Sequence, residues 1–563
     1  MQKTVIRVLF VCLMLSLPLA AKKYPDYARH GMVVSTNVIA SEIGRDILKQ
    51  GGNAVDAAVA TGLALAVVNP SAGNIGGGGF MVIHLADGTV TTIGYREKAP
   101  AAAHERMYLD DDGNLVRNLN HLSPLAVGVP GTVAGFAMAL ERYGTMTFAQ
   151  VAAPAIRLAE TGFPLSHDLY TDFMRLADAF APYPASVRKF KKPDGSFFEM
   201  GDVWQQPDLA ATLKRIAANG RDGFYAGKTA ELFEQGMAEL GGLITAADLA
   251  AYEAVECEPI HITYRGHDVY AMAPPSSGGI TLSIMLNILE GYDLTAMGHN
   301  SAAYLHHLAE AMRRAYSNRA QYIGDPAFNP GMPVERLISK DHAAALRATI
   351  DPRTASVSDA ADFTWALESE ETTHFSVVDA DGNAVSNTYT LEYGYGSRIV
   401  LPGLGFLLNN EMGDFNPVPG RTDSTGLIGT EPNRIRPGKR MLSSMTPTIV
   451  AKDGKPWFLI GSPGGRTIIN TVLQCVLNAV DFDMNVYDAV DAARAHHQWL
   501  PDYLWVERLG ISPDTRVLLQ ERGHRLRFRG AQGRAMGIMI DPETGLRMGA
   551  ADPRSPDGGA AGY

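Results

Sequence analysis

The sequence predicts an α+β fold in which sheets are covered by helices. Three observations carry this. The first third alternates helical stretches with glycine-rich breaks. The chain turns strand-rich after Thr372. Long helices then return with "RTIINTVLQCVLNAVDF". Strands and helices in this arrangement point to sheets with helices packed over them.

Taken in order, "SEIGRDILKQGGNAVDAAVATGLALAVVNP" has helical spacing and stops at Pro70. "SAGNIGGGGFMVIHLADGTVTTIGYREKAP" is a glycine run feeding a hairpin turned at Asp87-Gly88. Further helices follow in "TVAGFAMALERYG" and "AAYLHHLAEAMRRAYSNRAQYIG". Residues 353–371 have weak periodicity and many small or acidic side chains, which predicts an exposed segment. "THFSVVD", "AVSNTYTL", "GFLLNN" and "TPTIVAKDGKPWFLIGSPGG" are the strand candidates. There is no internal repeat.

The 563 residues are 46% hydrophobic and 19% charged, ample for a large core. With 49 Lys+Arg against 60 Asp+Glu, the net charge of −11 leaves no basic footprint for a nucleic acid. The N-terminus "MQKTVIRVLFVCLMLSLPLAAKK" places Lys3 and Arg7 before an apolar stretch and Ala20-Ala21. This is the pattern of a secretory leader over residues 1–21, and the apolar run is too short to span a bilayer comfortably. The remaining chain is expected to be periplasmic or secreted, with no membrane anchor. Beyond the leader only Cys257 and Cys475 remain, too few for a disulfide framework. Their apolar neighbours predict two buried thiols.

The segment "ESEETTHFSVVDADGNAVSNTYT", residues 368–390, holds a hairpin turned at "DADGN". A two-residue loop at Asp381-Gly382 pairs Thr373 with Thr390. A three-residue loop, 381–383, pairs His374 with Thr390. A one-residue slip exchanges strand faces, so the side-chain pattern arbitrates. The three-residue loop groups Phe375 and Val377 with Val385, Tyr389 and Leu391. It sets Thr372, His374, Ser376, Ser386, Thr388 and Thr390 on the other face, with Thr390 one diagonal step from Thr372. It is the preferred register. Alone, a hydroxyl-rich face is better explained as facing solvent.

Flanking motifs change that balance. "GGNAVDAAVA", "GNIGGGGF", "YREKAP", "AVGVPG", "APPSSGG", "ETTHFSVVD", "LLNNEMGDF", "KRMLSSMTPTIV", "GSPGG", "HHQWLPD" and "DPRS" occur in this order. The series resembles the γ-glutamyltranspeptidase family of N-terminal-nucleophile hydrolases over essentially the whole exported chain. The resemblance implies a four-layer αββα sandwich and a precursor that cuts itself between Glu371 and Thr372. It implies a large subunit, 22–371, and a small subunit, 372–563, held as a heterodimer of one fold. The freed Thr372 amine, with a pKa of about 8, suits general-base work for its own hydroxyl. The implied substrates are γ-glutamyl compounds such as glutathione, with water, amino acids or dipeptides as acceptors. No cofactor and no metal are implied.

Residue by residue, Thr372 matches the family nucleophile, two positions before His374. Thr373 points to the opposite strand face. Thr390 matches the threonine that hydrogen-bonds the nucleophile. Arg96 in "YREKAP" matches the clamp on the substrate α-carboxylate, a task suited to a planar bidentate donor. A surface ion pair with Glu97 is the plain alternative. Ser443 and Ser444 match the serine pair that meets the same carboxylate, against a mere serine-rich turn. Glu411 and Asp414 match the positions that hold the α-ammonium, against a solvated acidic loop. Gly464 and Gly465 match the oxyanion hole. Glu392 departs from the pattern, because the family commonly has Asn there. Three acids then crowd one cation, so either one is protonated or Glu392 turns away. The segment 417–430 has the length of a lid but carries Thr425 where such lids carry a gating Tyr. Prominent hydrolysis is the expected consequence.

Other readings fare worse. A glutaryl-type cephalosporin acylase on the same scaffold has no use for the acid at Asp414. The glycine run leads into a strand and lacks a following Lys-Ser/Thr, so it is no nucleotide loop. The pairs His306-His307 and His496-His497 lack the i, i+4 spacing of helical metal ligands.

Overall fold

The computed structural model describes residues 24–358, 372–421 and 430–563. The leader, Glu371 and Thr425 lie outside the described residues. Two seven-stranded antiparallel sheets form the centre. The first runs Gly559–Gly562, Met32–Ser35, Thr373–Val378, Ala384–Thr390, Gly78–His84, Val90–Gly94, Val255–Cys257. The second runs Asp26–Ala28, Arg547–Ala551, Met536–Ile540, Lys455–Ile460, Thr448–Lys452, His267–Ala271, Ile260–Tyr264.

Three apolar layers hold the stack together. Helix Ala54–Val68 is buried along its whole length and packs on Phe375, Val377, Val385 and Tyr389. Asn53 starts it with a reciprocal capping box to Asp56. Helices Gly278–Leu289, Ala302–Tyr322 and Thr467–Val480 cover the second sheet through Val450, Phe458 and Ile460. Between the sheets, Val34, Val82, Val378 and Ala384 meet Ile449, Leu459, Met536 and Ile538. This is the expected four-layer αββα order.

The hairpin departs from its expected register. Thr373 pairs with Tyr389 and His374 with Thr388, so Thr390 falls opposite Thr372 rather than one diagonal step away. The cause is Asp379. Its Oδ1 accepts the amides of Asp381, Gly382 and Asn383 at 2.9–3.0 Å, which sets the loop at 380–382, one residue earlier than expected, and shifts the strand pairing by two. An even shift keeps each residue on its expected face. The hydroxyl face, however, does not see solvent. It faces the second sheet, where Ser376 Oγ donates to the Met536 carbonyl at 3.1 Å and Ser386 Oγ to Ile460 at 3.3 Å. Of the two cysteines, Cys475 is buried, its thiol pushed up to about 11 by burial, while Cys257 is only half-buried.

Candidate active site

The glycine run positions the site by letting backbones touch. A Cβ on Gly77 would stand 2.1 Å from the Thr390 carbonyl oxygen, and one on Gly76 2.2 Å from that of Leu407. Asn74 completes the clamp. Its Nδ2 donates to Thr390 O at 2.9 Å while its Oδ1 accepts from Gly77 N and Thr132 Oγ1. Thr390 is thereby fixed from its carbonyl side, and its Oγ1 accepts the Glu392 amide at 2.9 Å.

The Thr372 hydroxyl donates to that same Thr390 oxygen at 3.3 Å. Thr373 points the other way, sharing a 2.5 Å hydroxyl contact with Thr36, which Asn69 Nδ2 supports at 3.0 Å. The two threonines are therefore separated by the strand pleat, as expected. Two residues on, His374 is held between the hydroxyls of Thr388 (2.7 Å) and Ser376 (3.1 Å). Burial lowers its pKa to about 3, so it stays neutral. A Cβ on Gly461 would lie 2.3 Å from its ring, which is why the "GSPGG" turn begins with glycine.

Arg96, Thr372, Thr390, Glu392, Glu411, Asp414, Ser443, Ser444 and Gly465 line one small cavity, about 20 Å³ of space for a water-sized sphere. Gly464 does not line it. It sits one residue back, at φ 134°, where a Cβ would meet Thr467 Oγ1 at 2.4 Å. The turn opens directly into helix Thr467–Val480, whose N-terminal dipole favours negative charge nearby. Arg96 is fully buried, not a surface residue. Its Nη1 lies 2.5 Å from Glu411 and 3.5 Å from Glu97, its Nη2 pairs with Asp414, and its remaining donors reach Met441 O and Leu442 O. The Arg96 charge is thus already engaged by the acids expected to hold an ammonium.

That crowding has an electrostatic consequence. Burial pushes the Glu97 carboxyl up to about 8, against the pull of Arg96. Glu411 rises well above the carboxylate range for the same reason, with Glu97, Asp414 and Glu392 adding repulsion. Glu392 resolves its own conflict by turning. It adopts φ 78° and sets Oε1 3.1 Å from His121 Nδ1, while still lining the cavity. His121 stacks on Tyr393 with ring centroids 4.7 Å apart.

Several contributors escaped the sequence analysis. Ser444 Oγ accepts from Arg319 Nη2 at 2.9 Å, and Arg319 Nε bonds Ser277 Oγ at 2.7 Å. Ser277 in turn donates to Ser443 O at 2.6 Å. Asn409 bridges Gly76 and Gly128 and accepts the Glu411 amide at 3.1 Å. The motifs "APPSSGG" and "LLNN" carried Ser277 and Asn409, but nothing in them showed what they bond. The four histidines weighed as ligands are engaged elsewhere: His306 with His524 and Asp351 O, His307 with Ala303 O, His496 with Asn470, and His497 with Asp502.

An interior threonine pair, a buried guanidinium ringed by acids and a glycine turn at a helix start thus converge on one cavity of the αββα fold. The Gamma-glutamyltranspeptidase family model matches residues 40–563, and the chain belongs to this family. Among its relatives, the glutathione hydrolase proenzyme of Escherichia coli (strain K12) is 48% identical, covering 96% of this chain and 93% of that one. The crystal structure of a cephalosporin acylase from Bacillus halodurans superposes with a TM-score of 0.85 at 29% identity, covering 97% of this chain and 98% of that one. The Helicobacter pylori gamma-glutamyltranspeptidase structure gives a TM-score of 0.56 at 46% identity, over 56% of this chain and 91% of that chain.

Proposed function

We propose that the protein is a γ-glutamyltransferase and glutathione hydrolase that matures by cutting its own chain before Thr372. The observation that carries this is Thr372 Oγ1 at 3.3 Å from Thr390 Oγ1, in the cavity where Arg96, Glu411, Asp414, Ser443 and Ser444 converge. In maturation the Thr372 hydroxyl attacks the Glu371 carbonyl carbon and the C–N bond breaks. The resulting ester is opened by water, leaving a Glu371 carboxylate and a free Thr372 amine. The products are a large subunit, 22–371, and a small subunit, 372–563, that remain one folded unit. Removal of residues 1–21 accompanies export to a periplasmic or secreted location. Among the described residues no helix is long and apolar enough to cross a membrane.

In turnover the Thr372 amine takes the hydroxyl proton as Oγ1 attacks the γ-carbonyl of a donor such as glutathione. The Gly464 and Gly465 amides stabilise the oxyanion, and the leaving amine takes up the proton. Water or an acceptor amine then opens the γ-glutamyl ester. Binding exchanges ion pairs. The donor's α-carboxylate takes over Arg96 and the Ser443 and Ser444 hydroxyls, while its ammonium takes over Glu411 and Asp414. A buried ammonium needs such partners, and a glutaryl side chain offers no ammonium to satisfy them. A γ-glutamyl anilide should therefore be turned over faster than a glutaryl anilide, and a clear glutaryl preference would reassign the protein to the acylases. N-terminal sequencing of the smaller fragment should begin at Thr372, and Thr372→Ala should run as one inactive chain. A fragment beginning elsewhere, or full activity in an uncut chain, defeats the mechanism.

A further inference from the structure

A separate cavity of about 460 Å³, within the size range of small-molecule sites, shares no residue with the one around Arg96. It is lined by three cations, Arg188, Lys189 and Lys191, against a single acid, Asp208. Basic residues at the end of helix Pro184–Phe190 suit its dipole. That reason alone would leave them in solvent or paired with acids. Among the described residues none of the three is in an ion pair, in a chain whose net charge is −11.

Lys189 is built into the floor. Its Nζ donates to Gly405 O at 2.8 Å and to Gln206 Oε1. Gln206 is 3% exposed, and its Nε2 donates to Val67 O at 2.8 Å, which turns Oε1 towards the amine. Gly405 sits at φ 73°, where a Cβ would meet Leu209 N at 2.2 Å. Trp204 closes the underside, its ring centroid 4.9 Å from the Lys189 Nζ. Both oxygen partners are neutral. Burial lowers the Lys189 pKa to about 7, against the pull of Asp208. Buried Leu209 and Val400, with half-buried Phe198, make the rest of the wall apolar. Exposed Arg188 and half-buried Lys191 stand at the rim.

We propose that this cavity binds a small molecule with a flat apolar body and one anionic head group, a carboxylate or a phosphate, held by Lys189 with Arg188 and Lys191 at the rim. The anion supplies the counter-charge that Gln206 and Gly405 do not. The apolar body covers Phe198, Leu209 and Val400. A neutral ligand leaves the ammonium without a counter-charge, and a bare ion leaves the apolar wall wet. Only a molecule with both parts satisfies both demands. The assignment does not depend on Thr372 being the nucleophile.

The test is isothermal titration of the purified protein, in excess glutamate to occupy the cavity around Arg96. The probes are 1-naphthoate, 1-naphthyl phosphate, 1-naphthol and inorganic phosphate. At least one of the two naphthyl acids should bind once per chain, about tenfold tighter than 1-naphthol and than inorganic phosphate, the size of one charge-assisted hydrogen bond. The tighter acid identifies the head group. Lys189→Met should reduce its affinity to that of 1-naphthol. The double variant Arg188→Gln, Lys191→Gln leaves the floor intact and should weaken the acid about tenfold at unchanged Tm, which separates loss of binding from loss of fold. No saturable heat with either acid, equal binding of 1-naphthol, or a double variant that binds as tightly as the wild type overturns the assignment. A second copy of the chain seated on this face would give a dimer by sedimentation and no binding of either acid, and overturns it too.

Discussion

Replacing Gly77 with Ala tests whether backbone contact aligns the two threonines. The added methyl would stand 2.1 Å from Thr390 O and 2.8 Å from Asn74 Oδ1. Ordinary carbon–oxygen contacts lie at about 3.3 Å or more, so the strand must retreat by roughly 1 Å. It has little room, because Ala384–Thr390 is paired on both sides, with Thr373–Val378 and with Gly78–His84. Overpacking of this kind costs about 1–3 kcal/mol. Disturbing the Asn74 bond to Thr390 O adds about 1 kcal/mol. A total near 3 kcal/mol should be read as a lowered urea midpoint at unchanged slope. A 1 Å misplacement at the site should also slow self-cleavage about 100-fold, visible as uncut chain on a denaturing gel. Gly331→Ala is the control, since a Cβ there meets nothing within 4 Å. A Gly77→Ala protein with wild-type midpoint and normal processing would refute the close-approach argument.

Two further outcomes follow from the charges. Burial holds His374 and His524 near pKa 3 and His496 and His497 near 4, below the unfolded value of about 6.5. The unfolded chain then binds more protons, so stability present above pH 6.5 is lost progressively as pH falls towards 4. Thermal unfolding should show a Tm that drops between pH 7 and pH 4.5, and a flat Tm over that window contradicts the assignment. Separately, the Glu392 charge helps raise Glu411. Glu392→Gln should therefore ionise Glu411 at lower pH and move the acid limb of donor kcat/KM the same way. Movement in the opposite direction would show that Glu411 is not the ammonium partner.

Much of the fold and site was legible because the motifs name residues whose chemistry is specific. Of the ten expected site residues that are described, nine line one cavity, and the hairpin side chains kept their expected strand faces. The register did not, because it depends on Asp379 accepting three turn amides, a side-chain choice that hydrophobic alternation does not record. The hydroxyl face looked solvent-bound because nothing local reveals a second sheet above it. Arg96 pairing with Glu411 and Asp414 joins residues more than 300 positions apart. The glycine run was recognisable as a motif, yet its purpose, contact with the Thr390 and Leu407 carbonyls, emerges only in three dimensions.

The order of strands has a consequence for the life of the molecule. Met32–Ser35 lies between Gly559–Gly562 and Thr373–Val378, and four strands from the C-terminal part sit between Asp26–Ala28 and His267–Ala271. A cut before Thr372 therefore leaves two polypeptides woven through both sheets, with no seam along which they can part intact. Folding is unimolecular before the cut and bimolecular ever after. Once denatured, a mature molecule must find its other half again, and its recovery falls with dilution, whereas an uncut chain carries its partner with it.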